Sequence, residues 1–272
     1  MDLNTVVELR DARQAGSWRP GDAWLGGGTY LFSEPQPQLR RLLDLSRTGW
    51  PPLTATPDGG LEIAATCTVA QLLRHPRPWP AGPLFEQCCH AFLASWKIWH
   101  MATVGGNLCN SLPAGPMISL TAALDGSCRL IGRDGAVREV PVAEFVTGAG
   151  RNLLRPGELL RAVTLPGRAL AGRTAFRQSS LYGLGRSAAL LIGLLDPLDG
   201  GFTLTVTAAT VRPIRLRFPF PPNAEALREA LEHAVRPAEY FDDIHGLPAW
   251  RRHLTFHHAE QIRRELAEED AR

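Results

Sequence analysis

Two glycine clusters carry the strongest chemical signal in the chain. Gly26-Gly27-Gly28-Thr29-Tyr30 follows the short apolar run Ala23-Trp24-Leu25. Backbone without side chains can bring successive N–H groups against a ligand, forming a nest suited to phosphate or pyrophosphate. The same glycines also suit a turn. Thr103-Val104-Gly105-Gly106-Asn107 repeats the chemistry about 77 residues later, adding a hydroxyl and an amide that can fix a ligand's orientation. Two such clusters are harder to explain as turns. Between them, two backbone loops could hold a dinucleotide's pyrophosphate without a Rossmann helix.

Other constellations are weaker. Gly183-Leu184-Gly185-Arg186-Ser187-Ala188 fits the G-x-G-x-x-A spacing. It lacks a surrounding βαβ unit, however, and Asp196 and Asp199 come too early to serve as the ribose carboxylate. His253 and His257 stand four residues apart, a zinc-compatible spacing, with neither the glutamate of a His-Glu-x-x-His motif nor a third ligand. They read as a solvated helix face. Cys67, Cys88, Cys89, Cys109 and Cys128 are odd in number and contain no Cys-x-x-Cys pair. They read as small buried hydrophobes rather than disulfide, zinc or iron–sulfur partners. No Gly-x-Ser-x-Gly elbow or local Cys–His signature is present, so no catalytic residue and no metal ligand is assigned.

The elements that must carry the clusters can be placed from pattern. A strand at Ala23 to Leu25 precedes the first cluster, a polar helix or loop follows, and Leu42 to Leu45 resumes extended structure. Gly49-Trp50-Pro51-Pro52 breaks the chain, a natural subdomain boundary. Beyond it come a strand at Leu61 to Ala65, a short helix capped by Thr68 and a helical spacing from Leu84 to Trp96. After the second cluster, Ile118 to Leu124 reads as a buried helix. Cys128–Ile131 and Ala136–Val140 form a hairpin, and Glu158 to Leu165 is a strand stopped by Pro166. Thr174–Ser179 and Phe202–Val211 alternate as strands do, while Ser187–Leu195 is a buried strand or a helix. Two amphipathic helices close the chain, Asn223 to Val235 and Leu247 to about Glu269. Strands followed by helices make this last unit α+β.

Composition bounds the function. The 272 residues are enough for about two domains. Glycine and proline contribute 48 of them, well above ordinary usage yet below the level of disordered chains. With 29 basic and 27 acidic residues, the net charge of +2 provides no overall field for nucleic acid or an anionic membrane. All the basic residues but Lys97 are arginine, and they are dispersed. The longest apolar near-run, Ala188 to Leu195, is too short to span a membrane. The beginning of the chain, with Asp2 and Glu8, lacks a signal-peptide pattern, so a cytoplasmic location is expected.

Taken together, these segments resemble the FAD-binding (medium) subunit of the molybdenum hydroxylases, the xanthine dehydrogenase family. Leu25-Gly26-Gly27-Gly28-Thr29-Tyr30-Leu31 is similar to the family's first FAD loop, and Met101 to Asn110 to its second, Ala-Thr-Ile-Gly-Gly-Asn. Leu42 to Ser46, Arg155 to Pro166, Phe176-Arg177-Gln178 and Asp242 to Leu254 resemble later family segments, so the likeness covers essentially the whole chain. It implies an α+β protein. A two-subdomain FAD-binding fold of the vanillyl-alcohol-oxidase-like type would occupy residues 1–170, divided into about 1–52 and 53–170. A C-terminal domain of antiparallel sheet and helices would follow at 171–272. It implies noncovalent FAD wrapped by Gly26 to Tyr30 and by Thr103 to Asn107, with Asn110 in the second loop. Leu160 would pack near the flavin or adenine, and Arg177 would stand where the family has a lysine.

The implied role is an oxidoreductase subunit that receives electrons from two [2Fe–2S] clusters in a small partner and passes them to an external acceptor. The molybdenum cofactor would lie in a large partner, and the complex would be a dimer of heterotrimers. The sequence departs from the pattern in two places. Lys97-Ile98-Trp99-His100 replaces Gln-Ile-Arg-Asn, and Pro116 replaces an acidic residue that would contact FAD. The Pro116 side chain can neither donate nor accept there, which favours an alternative: a non-catalytic scaffold subunit with weakened or lost FAD binding.

Overall fold

The structure, a computed structural model, describes residues 4–268. A small parallel sheet comes first, formed by β1 (Glu8–Asp11), β2 (Asp22–Leu25) and β3 (Arg41–Asp44) in the order β1-β3-β2. Its central strand buries Leu42 and Leu43 together with Arg41. That buried cation is tolerated because Asp22, on the neighbouring strand, takes its Nε at 2.8 Å, while the carbonyls of Ala15 and Ser17 take the remaining N–H groups. The polar segment between β2 and β3 forms turns.

A five-stranded antiparallel sheet follows: β4 (Leu53–Ala55), β5 (Leu61–Ala64), β6 (Ser127–Ile131), β7 (Val137–Pro141) and, later in the chain, β10 (Leu159–Leu165). Its order is β4-β5-β10-β6-β7. Between β5 and β6 the chain forms α1 (Val69–Arg74), α2 (Gly82–Ala91), α3 (Trp96–Trp99), α4 (Val104–Asn110) and α5 (Pro116–Ala123). Thr68 caps α1 in a reciprocal capping box with Gln71, as its position before the apolar run predicts. The continuous helical spacing from Leu84 to Trp96 is broken in the structure. Phe92 leaves the helical conformation, and Ser95 starts α3. Trp99 Nε1 donates to the Phe92 carbonyl at 3.0 Å, which folds α3 back over the end of α2. The turn α6 (Val142–Phe145), the short pair β8 (Val146–Gly148) and β9 (Arg151–Asn152), and the turn α7 (Gly167–Leu170) complete this part.

The rest is an antiparallel meander of β11 (Arg173–Ser180), β12 (Ser187–Leu195), β13 (Phe202–Thr207) and β14 (Ile214–Phe218), followed by α8 (Ala224–Ala234) and α9 (Pro248–Glu268). The ambiguous Ser187–Leu195 run is a strand buried at all nine positions, because helices cover both faces of it. Leu190, Ile192 and Leu194 join the core beneath α5, while Ala189, Leu191 and Leu195 join the core beneath α8 and α9. The strand expected to run from Phe202 to Val211 ends at Thr207, since Ala208 takes a left-handed φ of 61°. The predicted end of the last helix near Glu269 lies outside the described residues, as does Asp2. Among the described residues no helix is long and apolar enough to cross a membrane.

Candidate functional site

Both glycine clusters open onto one cleft of about 680 Å³. The β2–β3 connection supplies Gly26 to Leu31, and α4 with its N-cap supplies Thr103, Gly106, Asn107 and Asn110. The third wall comes from the meander and its following loop: Arg186, Ser187, Ala208, Phe241, Asp243, His245 and Arg251.

The five glycines divide into two kinds. A Cβ on Gly27 would lie 1.5 Å from the Met101 carbonyl oxygen, and one on Gly105 would lie 2.4 Å from Ala65 Cβ. These two let loop approach loop and helix approach strand. Gly28 has φ +71° and would press Phe32. At Gly26 and Gly106 a Cβ would meet only the Thr103 side chain, with Oγ1 at 3.2 and 3.0 Å respectively. Both of these glycines line the cleft, and they form a cradle around Thr103.

The clusters also differ in which donors remain. At the second, the Val104 and Gly105 N–H groups donate to the carbonyls of Cys67 and Ala65 at 2.8 and 3.0 Å. Gly106 N–H donates to Thr103 Oγ1 at 3.0 Å, and Asn107 N–H donates to the Thr103 carbonyl at 3.0 Å. The start of α4 is therefore satisfied within the protein, and what reads in sequence as a second loop is the capped first turn of a helix. At the first cluster, the N–H groups of Gly26 to Thr29 find no acceptor among the described residues. Such unpaired donors on a cleft wall suit an anionic or carbonyl-bearing ligand.

Side chains supply the rest. Asn107 Oδ1 accepts the Met117 N–H at 3.1 Å, which fixes the start of α5. Its amide N–H groups, the Asn110 amide and the Thr29 and Tyr30 hydroxyls have no partner among the described residues, and all four residues line the cleft. Pro116 lines it too, as the first residue of α5, where a helix needs no N–H. Cys109 borders the cleft with its thiol pushed up to about 12 by burial, so it is neutral at physiological pH.

Four residues implied as binding residues do not line this cleft. Val104 is fully buried and Gly105 packs against Ala65. Leu160 is buried in the core on β10, opposite Leu130. Arg177, on β11, pairs with Glu265 at 2.6 Å. The Gly183–Ala188 motif forms the β11–β12 hairpin turn and the start of β12. His253 and His257 stack face to face on α9 with ring centroids 6.1 Å apart, and no group of metal-ligating residues occurs among the described residues.

The third wall is where sequence reasoning fell short. Arg251 is 1% exposed and reaches from α9 to the carbonyls of Ala188 and Ala208, both at 2.7 Å. It also donates to the Gly246 carbonyl at 2.9 Å and pairs with Asp243. Beside the exposed Arg252 it reads as one more surface charge, and nothing local in the sequence marks it as the buried member of the pair.

Residues 3–168 match the family described as the FAD binding domain in molybdopterin dehydrogenase. The chain belongs to this family. Among curated relatives, the xanthine dehydrogenase FAD-binding subunit of Escherichia coli O157:H7 is 32% identical over 165 residues, covering 59% of this chain and 56% of that protein. The carbon monoxide dehydrogenase medium chain of Afipia carboxidovorans is 36% identical over 74 residues, 27% of this chain and 25% of that one. Xanthine dehydrogenase 2 of Arabidopsis thaliana is 30% identical over 117 residues, 40% of this chain but only 9% of the plant protein. The curated matches thus span from under a tenth to little more than half of the relatives' lengths. Among solved structures, quinoline 2-oxidoreductase from Pseudomonas putida 86 has a chain that superposes with a TM-score of 0.79 at 19% identity, covering 99% of both chains. A chain of the carbon monoxide dehydrogenase from Hydrogenophaga pseudoflava gives 0.77 at 18% identity, covering 94% of this chain and 95% of that one. The fold is therefore shared along essentially the full chain.

Proposed function

We propose that this chain is the FAD-carrying subunit of a molybdenum-dependent dehydrogenase. It would take electrons from two [2Fe–2S] centres in a small partner and pass them to an external acceptor, while a large partner would hold the molybdenum cofactor. The carrying observation is the cleft itself: Gly26 to Thr29, whose N–H groups have no acceptor among the described residues, line the same cleft as Thr103, Gly106 and Asn107. Those residues, with Tyr30, Asn107 and Asn110, would hold noncovalent FAD. Bound there, FAD supplies the exchange between one-electron and two-electron chemistry, so the protein contributes positioning, electrostatics and shielding from water. Family membership supports the cofactor, and the relatives' names support the oxidoreductase setting.

The reading includes a vanillyl-alcohol-oxidase-like arrangement of two FAD-binding subdomains at about residues 1–52 and 53–170, with a C-terminal domain at 171–272. It also includes a cytoplasmic dimer of heterotrimers. The test is purification of the full chain with its candidate partners, followed by a flavin spectrum and metal analysis. Stoichiometric, acid-releasable FAD with molybdenum and iron is expected. Pro116, in place of the family's acidic residue, favours the second reading of a scaffold subunit. Molybdenum and iron without flavin would establish that reading and overturn the first.

A further inference from the structure

The third wall of the cleft presents a positive charge that no described residue neutralises. Two arginines line the cleft, and they are in opposite states. Arg251 is consumed by three carbonyls and by Asp243, which is also the only acidic residue lining the cleft among those described. Arg186 is exposed and makes no hydrogen bond or ion pair among the described residues. It lies at the foot of the β11–β12 hairpin. There the backbone is held by the Ser180–Ser187 pairing and by Gln178 Nε2 donating to Ser187 Oγ at 2.9 Å. The wall therefore offers an unpaired cation on an anchored backbone, and the first glycine cluster on another wall offers N–H donors without acceptors among the described residues. A neutral aromatic ligand would leave both unanswered. A phosphate-bearing ligand would answer both, since a guanidinium forks onto phosphate oxygens and backbone N–H groups complete the shell.

We propose that Arg186 recognises the phosphate-borne negative charge of a nucleotide held in this cleft, an inference resting on the reading that the cleft takes a dinucleotide. Two sources carry that chemistry: the diphosphate of FAD itself, or the phosphates of a nucleotide acceptor that docks over FAD already bound. The Rossmann-like spacing around Arg186 thus contributes through its arginine rather than through its glycines.

The experiment uses the full chain as wild type, Arg186→Gln and Arg186→Lys, with thermal melting as the fold check. Because Arg186 has no partner to lose among the described residues, all three should melt alike. In one arm FAD is titrated into flavin-free chain, and in the other ADP-ribose is titrated into FAD-loaded chain. A loss of about tenfold or more for Arg186→Gln in either arm supports the proposal and names the source, with partial rescue by Arg186→Lys. The loss must shrink as ionic strength rises from about 0.05 to about 0.5 M, which a packing effect would not do. Affinities within about twofold of wild type in both arms, or a loss indifferent to salt, overturn the proposal while the flavin reading stands. A wild-type chain that takes up no FAD overturns the flavin reading, and this inference with it.

Discussion

Gly26 and Gly27 are adjacent and chemically identical, yet a methyl group would do opposite things to them. At Gly27 it meets the Met101 carbonyl at 1.5 Å, so Gly27→Ala must part the first loop from the segment before α4. A stability loss of about 3 kcal/mol or more is expected in urea titration. At Gly26 the added Cβ meets only the Thr103 side chain, with Oγ1 at 3.2 Å. Gly26→Ala should stay within about 1 kcal/mol of wild type in stability. Its FAD affinity should fall about tenfold, as the methyl excludes ligand from the loop's N–H groups. Equal stability losses at both positions would refute the division of the glycines. Sequence reading found both clusters, because backbone exposed to a ligand requires glycine. It could not separate the glycines with room beside Thr103 from those closed against Met101 or Ala65, since that depends on contacts tens of residues away in the chain.

At the scale of elements, two buried arginines fix what the cleft is built on. Asp22 and Arg41 lock β2 to β3 immediately before the first glycine cluster. The guanidinium of Arg41 holds the Asp22 carboxyl below its ordinary value. The pair's stabilisation is thus complete above about pH 4 and is lost as the pH falls through the depressed value. Asp22→Asn should cost about 3 kcal/mol near neutrality, and the gap to wild type should narrow only in acid. A gap that widened toward low pH would contradict the assignment. Arg251 does the equivalent work for the third wall, tying α9 to the ends of β12 and β13 and to the Asp243–Gly246 loop. Arg251→Met leaves three carbonyls and Asp243 without their partner and should cost about 3–5 kcal/mol in chemical denaturation. Most strand and helix types are legible from period and caps, as Thr68 and Asn223 illustrate, but not the strand at Ser187–Leu195 or the helix at Val104–Asn110. The interruptions were not legible. Phe92 and Ala208 depart from their elements because of tertiary partners, Trp99 for the first and Pro113 and Arg251 for the second.

Over the whole molecule, one apolar core crosses from the five-stranded sheet to the meander. Leu190, Ile192 and Leu194 of β12 belong to the same apolar cluster as α2, α5 and the five-stranded sheet. The buried Ser119–Thr207 hydrogen bond, at 2.6 Å, reinforces that seam. The first sheet buries Leu39, Leu42, Leu43 and Leu45 outside both large clusters. It is held to the rest by thin contacts such as Trp24 Nε1 donating to the Glu158 carbonyl at 3.0 Å. In flavin-free protein its backbone amides should therefore exchange hydrogen before those of β10 or β12. On the proposed reading, a ligand spanning the cleft would supply the missing continuity, bonding both to the Gly26–Thr29 loop and to walls carried by the large cores. FAD at about 100 times its dissociation constant should add about 2.7 kcal/mol, raising the melting temperature of a chain this size by about 5–10 °C. The accompanying gain in exchange protection should be largest in β1 to β3. Protection spread evenly over all three sheets would mean that the small sheet is already locked in place, and that the cleft is closed by the protein rather than by what it binds.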